Sequence, residues 1–137
     1  MKRVKTYFLT LVALGCFHAV SAQEPPKEKS PQEYAALEAE RLERELKLNS
    51  SQVFYADSIF QSNFAGVMQE FEDMKKSGMQ DGRSYQIVRD KWTDKSLAAL
   101  KLVFTEQQYI AYLKMIGKGK EYKKGKDGLY YKKEEKK

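Results

Sequence analysis

The chain has 137 residues, a formal net charge of +6 and a mean hydropathy of −0.69, with a single Cys and a single His. That length suits one domain, and one Cys excludes an internal disulfide. The scarcity of Cys and His argues against a Cys/His zinc site, a His-based triad and a Cys nucleophile.

At the N-terminus, Lys2, Arg3 and Lys5 precede the uncharged run Tyr7 to Cys16 (YFLTLVALGC), and Val20-Ser21-Ala22 follows. Basic, apolar and small-residue regions in that order make a secretory signal. The run is too short to span a bilayer. The sequence therefore predicts a signal peptide over residues 1–22 and a periplasmic chain of 115 residues. The alternative is a lipid anchor, since Ala13-Leu14-Gly15-Cys16 faintly resembles a lipobox that would lipidate Cys16. Cleavage after Ala22 removes both Cys16 and His18, which leaves open only an oxygen-ligand metal site, and Asp81-Gly82 is too little for a calcium loop; no metal and no cofactor are expected.

Cleavage lowers the charge to +3, unevenly spread. Lys114 to Lys137 holds ten Lys against Glu121, Asp127, Glu134 and Glu135, whereas Gln23 to Leu113 holds 12 basic and 15 acidic residues. A mildly acidic body thus bears a basic tail.

Residues 23–29 (QEPPKEK) read as a disordered lead-in. Ser30-Pro31-Gln32-Glu33 then combines an N-cap, a Pro at the first helical position and a Glu that closes a capping box. Ala35, Ala39, Leu42 and Leu46 follow on one helical face. A second helix is predicted from Ser50 to Lys76 behind an Asn49 N-cap. Its stripe is Val53, Ala56, Phe60, Phe64, Val67, Phe71 and Met74, and Gly78 suits a left-handed C-terminal cap. Ser77 to Arg83 (SGMQDGR) reads as a turn, and a third helix as running from about Ser84 to Val103. Its face is Tyr85, Val88, Trp92, Ala99 and Val103, widened by Ile87, Leu97 and Leu100. Thr105 starts a fourth helix that carries Tyr109, Tyr112, Leu113 and Ile116 and stops at Gly117 and Gly119. Short connections favour antiparallel neighbours. The expected fold is all-α over residues 30–116, an elongated four-helix hairpin, with residues 117–137 a mostly disordered, Lys-rich tail.

Two of these helix starts share one chemistry. Leu48-Asn49-Ser50-Ser51-Gln52 and Phe104-Thr105-Glu106-Gln107-Gln108 each place an apolar residue, an N-cap, two polar residues and then Gln, 56 residues apart. In each, the Gln can close a capping box, and Leu48 with Val53 or Phe104 with Tyr109 can form a hydrophobic staple. The pairing resembles the LTxxQ motifs of the Spy/CpxP family of periplasmic proteins. Asn49 stands where that motif has Thr and Phe104 where it has Leu, and both keep the capping role. The resemblance covers about Ser30 to Ile116. It implies a bent four-helix protomer that pairs into a thin, concave homodimer, and ATP-independent chaperoning or a part in envelope stress sensing. It gives Leu48, Asn49, Gln52, Phe104, Thr105 and Gln108 architectural roles.

No phosphate-binding Gly-rich loop or carboxylate pair stands out, so the chain is not expected to be an enzyme. The Lys and Tyr of the tail suit a solubilising terminus, or weak contact with an anionic membrane surface, ahead of nucleic acid. Apolar residues beyond the core stripes, namely Phe54, Tyr55, Ile59, Met68 and Met79, are candidates either for core and dimer packing or for contact with unfolded envelope proteins. Lys75, Lys76, Arg83, Arg89 and Lys91 would add attraction for acidic clients. The competing reading is a stress-regulatory protein that binds one sensor partner without general chaperoning.

Overall fold

The structure, a computed structural model, describes residues 29–134. The signal segment with Cys16, the lead-in up to residue 28 and the last three residues lie outside the described residues. The order is α1 (Pro31–Leu46), α2 (Ser50–Lys76), α3 (Gly82–Val103), α4 (Glu106–Met115), then a hairpin of β1 (Tyr122–Lys124) and β2 (Tyr130–Lys132). The chain is mostly helical, and both strands lie C-terminal to Ile116.

Each helix starts where a short polar side chain can accept the first unpaired backbone N–H groups. Ser30 Oγ accepts from the Glu33 N–H at 3.2 Å, and the Glu33 carboxylate accepts from the Ser30 N–H at 2.7 Å. Asn49 and Thr105 build the same box on α2 and α4. On α3 the cap is Asp81, which accepts from the Ser84 N–H at 2.9 Å and the Ser84 hydroxyl at 2.7 Å. This cap draws the start of α3 back to Gly82, so the turn is shorter than the one expected over 77–83.

The helix ends are equally local. At the end of α2, Gly78 takes φ 74°, and the Met79 and Gly78 N–H groups bond Met74 O at 2.9 Å and Lys75 O at 3.1 Å. That is a Schellman motif. The end of α1 has the same turn with Lys47 in the left-handed position, φ 53°, and the Leu48 N–H on Glu43 O at 3.2 Å.

α2, with 27 residues and a length of roughly 40 Å at about 1.5 Å per residue, runs antiparallel to α3. The Phe71 and Tyr85 rings meet edge-on at 4.7 Å near the turn, while Gln52 reaches the Val103 carbonyl at the other end. Between them Trp92 lies on the α2 backbone at Gly66, where an added Cβ would sit 2.2 Å from the indole. α1 folds back along the first half of α2, bringing the Tyr34 and Phe64 rings to 6.0 Å. α4 inserts Tyr112 against Phe60 and Phe104, at 6.5 and 6.1 Å.

The core gathers where all four helices meet. It comprises Ala35, Leu42, Leu46, Leu48, Ala56, Phe60, Leu97, Leu100, Phe104, Tyr112 and Leu113. On α3 the buried residues are Ser96, Leu97 and Leu100, whereas Ile87, expected on the packed face, is exposed. The core cluster reaches no further than Phe64 along α2 and begins at Leu97 on α3, so the part of the hairpin near its turn lies beyond it.

The C-terminal segment differs from the disordered tail expected from its composition, and the fold is accordingly helical with a small β-hairpin. Asp127-Gly128 makes the turn: Gly128 takes φ 84°, and Asp127 accepts the Leu129 N–H at 3.1 Å. The strands pair Tyr122 with Lys132, Lys123 with Tyr131 and Lys124 with Tyr130. Backbone bonds join Gly125 to Leu129 and Lys133 to Glu121, which leaves Tyr130 at a position whose N–H and C=O point away from β1. The Gln107 side chain on α4 meets both, accepting from the Tyr130 N–H at 2.7 Å and donating to its carbonyl at 3.1 Å. Lys114 Nζ donates to the Tyr122 carbonyl at 3.1 Å. These bonds, with Tyr122 packed on the core, hold the hairpin on α4.

Candidate functional site: a helix junction and an apolar groove

The two repeated motifs meet in space. Within each, the Gln side-chain oxygen closes its own capping box, Gln52 Oε1 accepting from the Asn49 N–H at 3.1 Å and Gln108 Oε1 from the Thr105 N–H at 2.9 Å. The two amides also bond each other. Gln52 Nε2 donates to Gln108 Oε1 at 2.7 Å, and Gln108 Nε2 donates to Gln52 Oε1 at 3.3 Å. The remaining donors go to the opposite helix ends. Gln52 Nε2 reaches the last carbonyl of α3, Val103, at 3.1 Å, and Gln108 Nε2 reaches the last carbonyl of α1, Leu46, at 3.3 Å. Two side chains thus serve four helix termini, and every donor and acceptor of both amides is used. Leu48 and Phe104, each one residue before its cap, are buried beneath this junction. Its side chains are amides, hydroxyls and hydrocarbon, and their contacts tie helix ends to one another.

The five candidate contact residues separate. Phe54 is 66% and Tyr55 55% exposed, and their rings meet edge-on at 5.6 Å. Ile59 and Met68 are half-buried. Met79 is half exposed, and its place is the residue after the left-handed glycine of the α2 C-terminal motif, in the turn. Tyr55 and Ile59 do come together, on the wall of a groove of about 260 Å³ between α2 and α3 with Trp92 and Ala99. Its polar lining includes Asn63, whose buried Oδ1 has no hydrogen-bond partner among the described residues, and the buried Ser96. Beside it, Tyr55 also borders a second hollow with Leu102 and Val103.

Leu102, missing from the sequence-derived set, is 89% exposed and is the most exposed large apolar residue described. Its neighbours Val103 and Phe104 make it look like part of a packed end, whereas the helix turns it away from the core that holds Leu100 and Phe104. Trp92, expected within the core face, is half-buried at the groove and held by its edge, the indole Nε1–H donating to Glu70 Oε1 at 3.0 Å. Lys95 Nζ lies 4.4 Å from the ring centre, a cation–π distance. Glu70 also pairs with Lys91, and that bond holds its carboxyl below the usual carboxylate range.

The basic residues expected to attract clients are partly engaged already. Lys91 pairs with Glu70 and Lys75 with Glu72, and the Arg89 guanidinium sits 5.9 Å from the Phe71 ring centre. Among the described residues, no cluster of three or more His, Cys, Asp or Glu has the arrangement to hold a metal ion, and no helix is long and apolar enough to cross a membrane. Compared with known proteins, the chain matches no protein-family model, no curated protein and no solved structure.

Proposed function

We propose that this protein is a nucleotide-independent, chaperone-like binder of unfolded or partly folded proteins of the cell envelope. In this reading it resembles the Spy/CpxP proteins and works as a thin, concave homodimer. The observation that carries the proposal is a row of exposed apolar residues: Tyr55 and Leu102 border one hollow beside the Trp92 groove, and the Phe54 ring, which faces the α1 side, meets Tyr55 edge-on. Large apolar residues grouped on a surface cost solubility unless something is bound there. The paired Asn49–Gln52 and Thr105–Gln108 boxes, the feature behind the family resemblance, support it further. Weak, reversible contact with the row would shield a client while it folds, and release would need no energy source.

A light-scattering assay on a chemically reduced, aggregating client tests this. The wild-type chain at several-fold molar excess is expected to suppress scattering, and the exposed-site double variant Tyr55→Ser with Leu102→Ser to lose most of that effect while keeping its helical circular dichroism. Absence of suppression by the wild type, together with capture of one tight partner, would replace the chaperone reading with that of a dedicated regulator. Sedimentation giving only monomer at high concentration would remove the dimer.

A further inference from the structure

We propose that the C-terminal hairpin is a docking face for an anionic phospholipid surface, with Leu129 and Tyr131 at headgroup level and Lys123, Lys126 and Lys133 on lipid phosphates. The proposal is independent of client binding, because it uses none of the residues of the α2–α3 groove.

Strand alternation sorts the hairpin side chains into two faces. Tyr122 and Tyr130 share the half-buried face, Tyr122 against the core and Tyr130 beside Leu46 and Met115. The opposite face carries Lys123 with its cross-strand partner Tyr131, and the bonded pairs Gly125–Leu129 and Glu121–Lys133. Lys123, Leu129, Tyr131 and Lys133 are exposed, as is Glu121, the single carboxylate of this face. The Gln107 clamp on Tyr130 fixes which face looks outward.

Two features set this face apart from a solubilising terminus. The first is charge. Residues 117–134 hold seven Lys against Glu121, Asp127 and Glu134. Lys118 pairs with Asp94, but among the described residues Lys120, Lys123, Lys126, Lys132 and Lys133 make no ion pair. Asp127, at the tip, is spent internally, accepting from the Tyr131 hydroxyl at 2.5 Å and from the Leu129 N–H. The second is the exposed hydrocarbon amid those cations. Leu129 and Tyr131 are each nearly half exposed, and the Tyr131 ring is seated over Gly125, where an added Cβ would lie 2.8 Å from it. An acidic peptide or a nucleic acid would use the lysines and leave Leu129 without a role. A phospholipid interface uses both, drawing lysines by its surface potential and seating tyrosine and aliphatic side chains among the headgroups.

Vesicle co-sedimentation of the full chain tests the proposal, with residues 1–28 common to every protein compared. Wild type is expected to bind phosphatidylglycerol–phosphatidylcholine vesicles far better than phosphatidylcholine alone, and less well as salt rises. With roughly five-fold per lysine, Lys123→Gln with Lys133→Gln should weaken binding about 25-fold. Leu129→Ser with Tyr131→Ser should weaken it about ten-fold through lost apolar contact. Circular dichroism and Trp92 fluorescence confirm that each variant keeps its helical body. Equal binding to both vesicle types overturns the proposal, as does binding unchanged in the glutamine variant. Loss in the glutamine variant with none in the serine variant, and competition by polyglutamate or DNA, would instead make the hairpin a general polyanion site and equally overturn it.

Discussion

Gln52 and Gln108, 56 residues apart in sequence, bond each other through both halves of their amides, at 2.7 and 3.3 Å. Each also holds the N-cap of its own helix and the last carbonyl of a helix from the other pair. The junction therefore behaves as one unit. Replacing either Gln by Ala leaves half-buried partners unsatisfied and should cost about 1–3 kcal/mol. The double variant should lose less than the sum, with a coupling of about 0.5–3 kcal/mol. Urea denaturation of the four proteins measures this, and strictly additive losses would contradict the paired geometry. In the same assay Asn49→Ala and Thr105→Ala should each cost about 0.5–2 kcal/mol.

Gly66 is the seat of the Trp92 indole, so Gly66→Ala should destabilise the hairpin. In an open helix the change would gain about 1 kcal/mol. Here the new Cβ falls 2.2 Å from the ring, and overpacking costs about 1–3 kcal/mol. Trp92 is the single Trp, so its emission reports the displacement directly. In a Trp92→Leu background the same substitution should turn neutral or stabilising. Destabilisation of equal size in both backgrounds would locate the effect elsewhere.

Lys47 holds a left-handed conformation, φ 53°, that suits glycine better. A side chain there costs roughly 1–2 kcal/mol, and glycine gives back about 0.5–1 kcal/mol in backbone entropy. Lys47→Gly should therefore raise stability by up to about 1.5 kcal/mol. A lowered urea midpoint would mean that Lys47 makes a compensating contact.

Tyr112 is buried between Phe60 and Phe104, and burial pushes its hydroxyl up to about 12, with the nearby Glu38 carboxylate adding to the rise. The protonated, neutral phenol is the form the fold prefers. Its contribution is complete below the unfolded value near 10 and is lost as pH rises towards 12, by about 3 kcal/mol at most. Tyr112→Phe keeps the ring and removes the proton. Wild type should lose stability relative to this variant across pH 10 to 12. A difference that stays constant over that window would show that the hydroxyl is not desolvated.

What could be read from the residues was whatever closes within one or two turns of chain. Ser30, Asn49 and Thr105 bond partners three residues away, and Gly78 ends α2 through bonds to Met74 and Lys75, so the four helices and most of their limits followed from local chemistry. The apolar stripe of α2 was legible for the same reason, since helical spacing places those residues on one face whatever packs there. The Asp127-Gly128 turn was not read from the sequence, because the Lys-rich composition around it argued for disorder. Long-range choices were not legible either. No pattern in the chain states that the Gln52 amide faces Gln108 rather than water, that Gly66 receives an indole, or that Gln107 clamps Tyr130. Helical spacing put Leu100 with Leu97 on the packed face and left Leu102 off it, but that Leu102 stands 89% exposed depends on which sides other helices cover. A capping bond is decided by neighbours in sequence, whereas burial is decided by whatever the rest of the chain brings alongside.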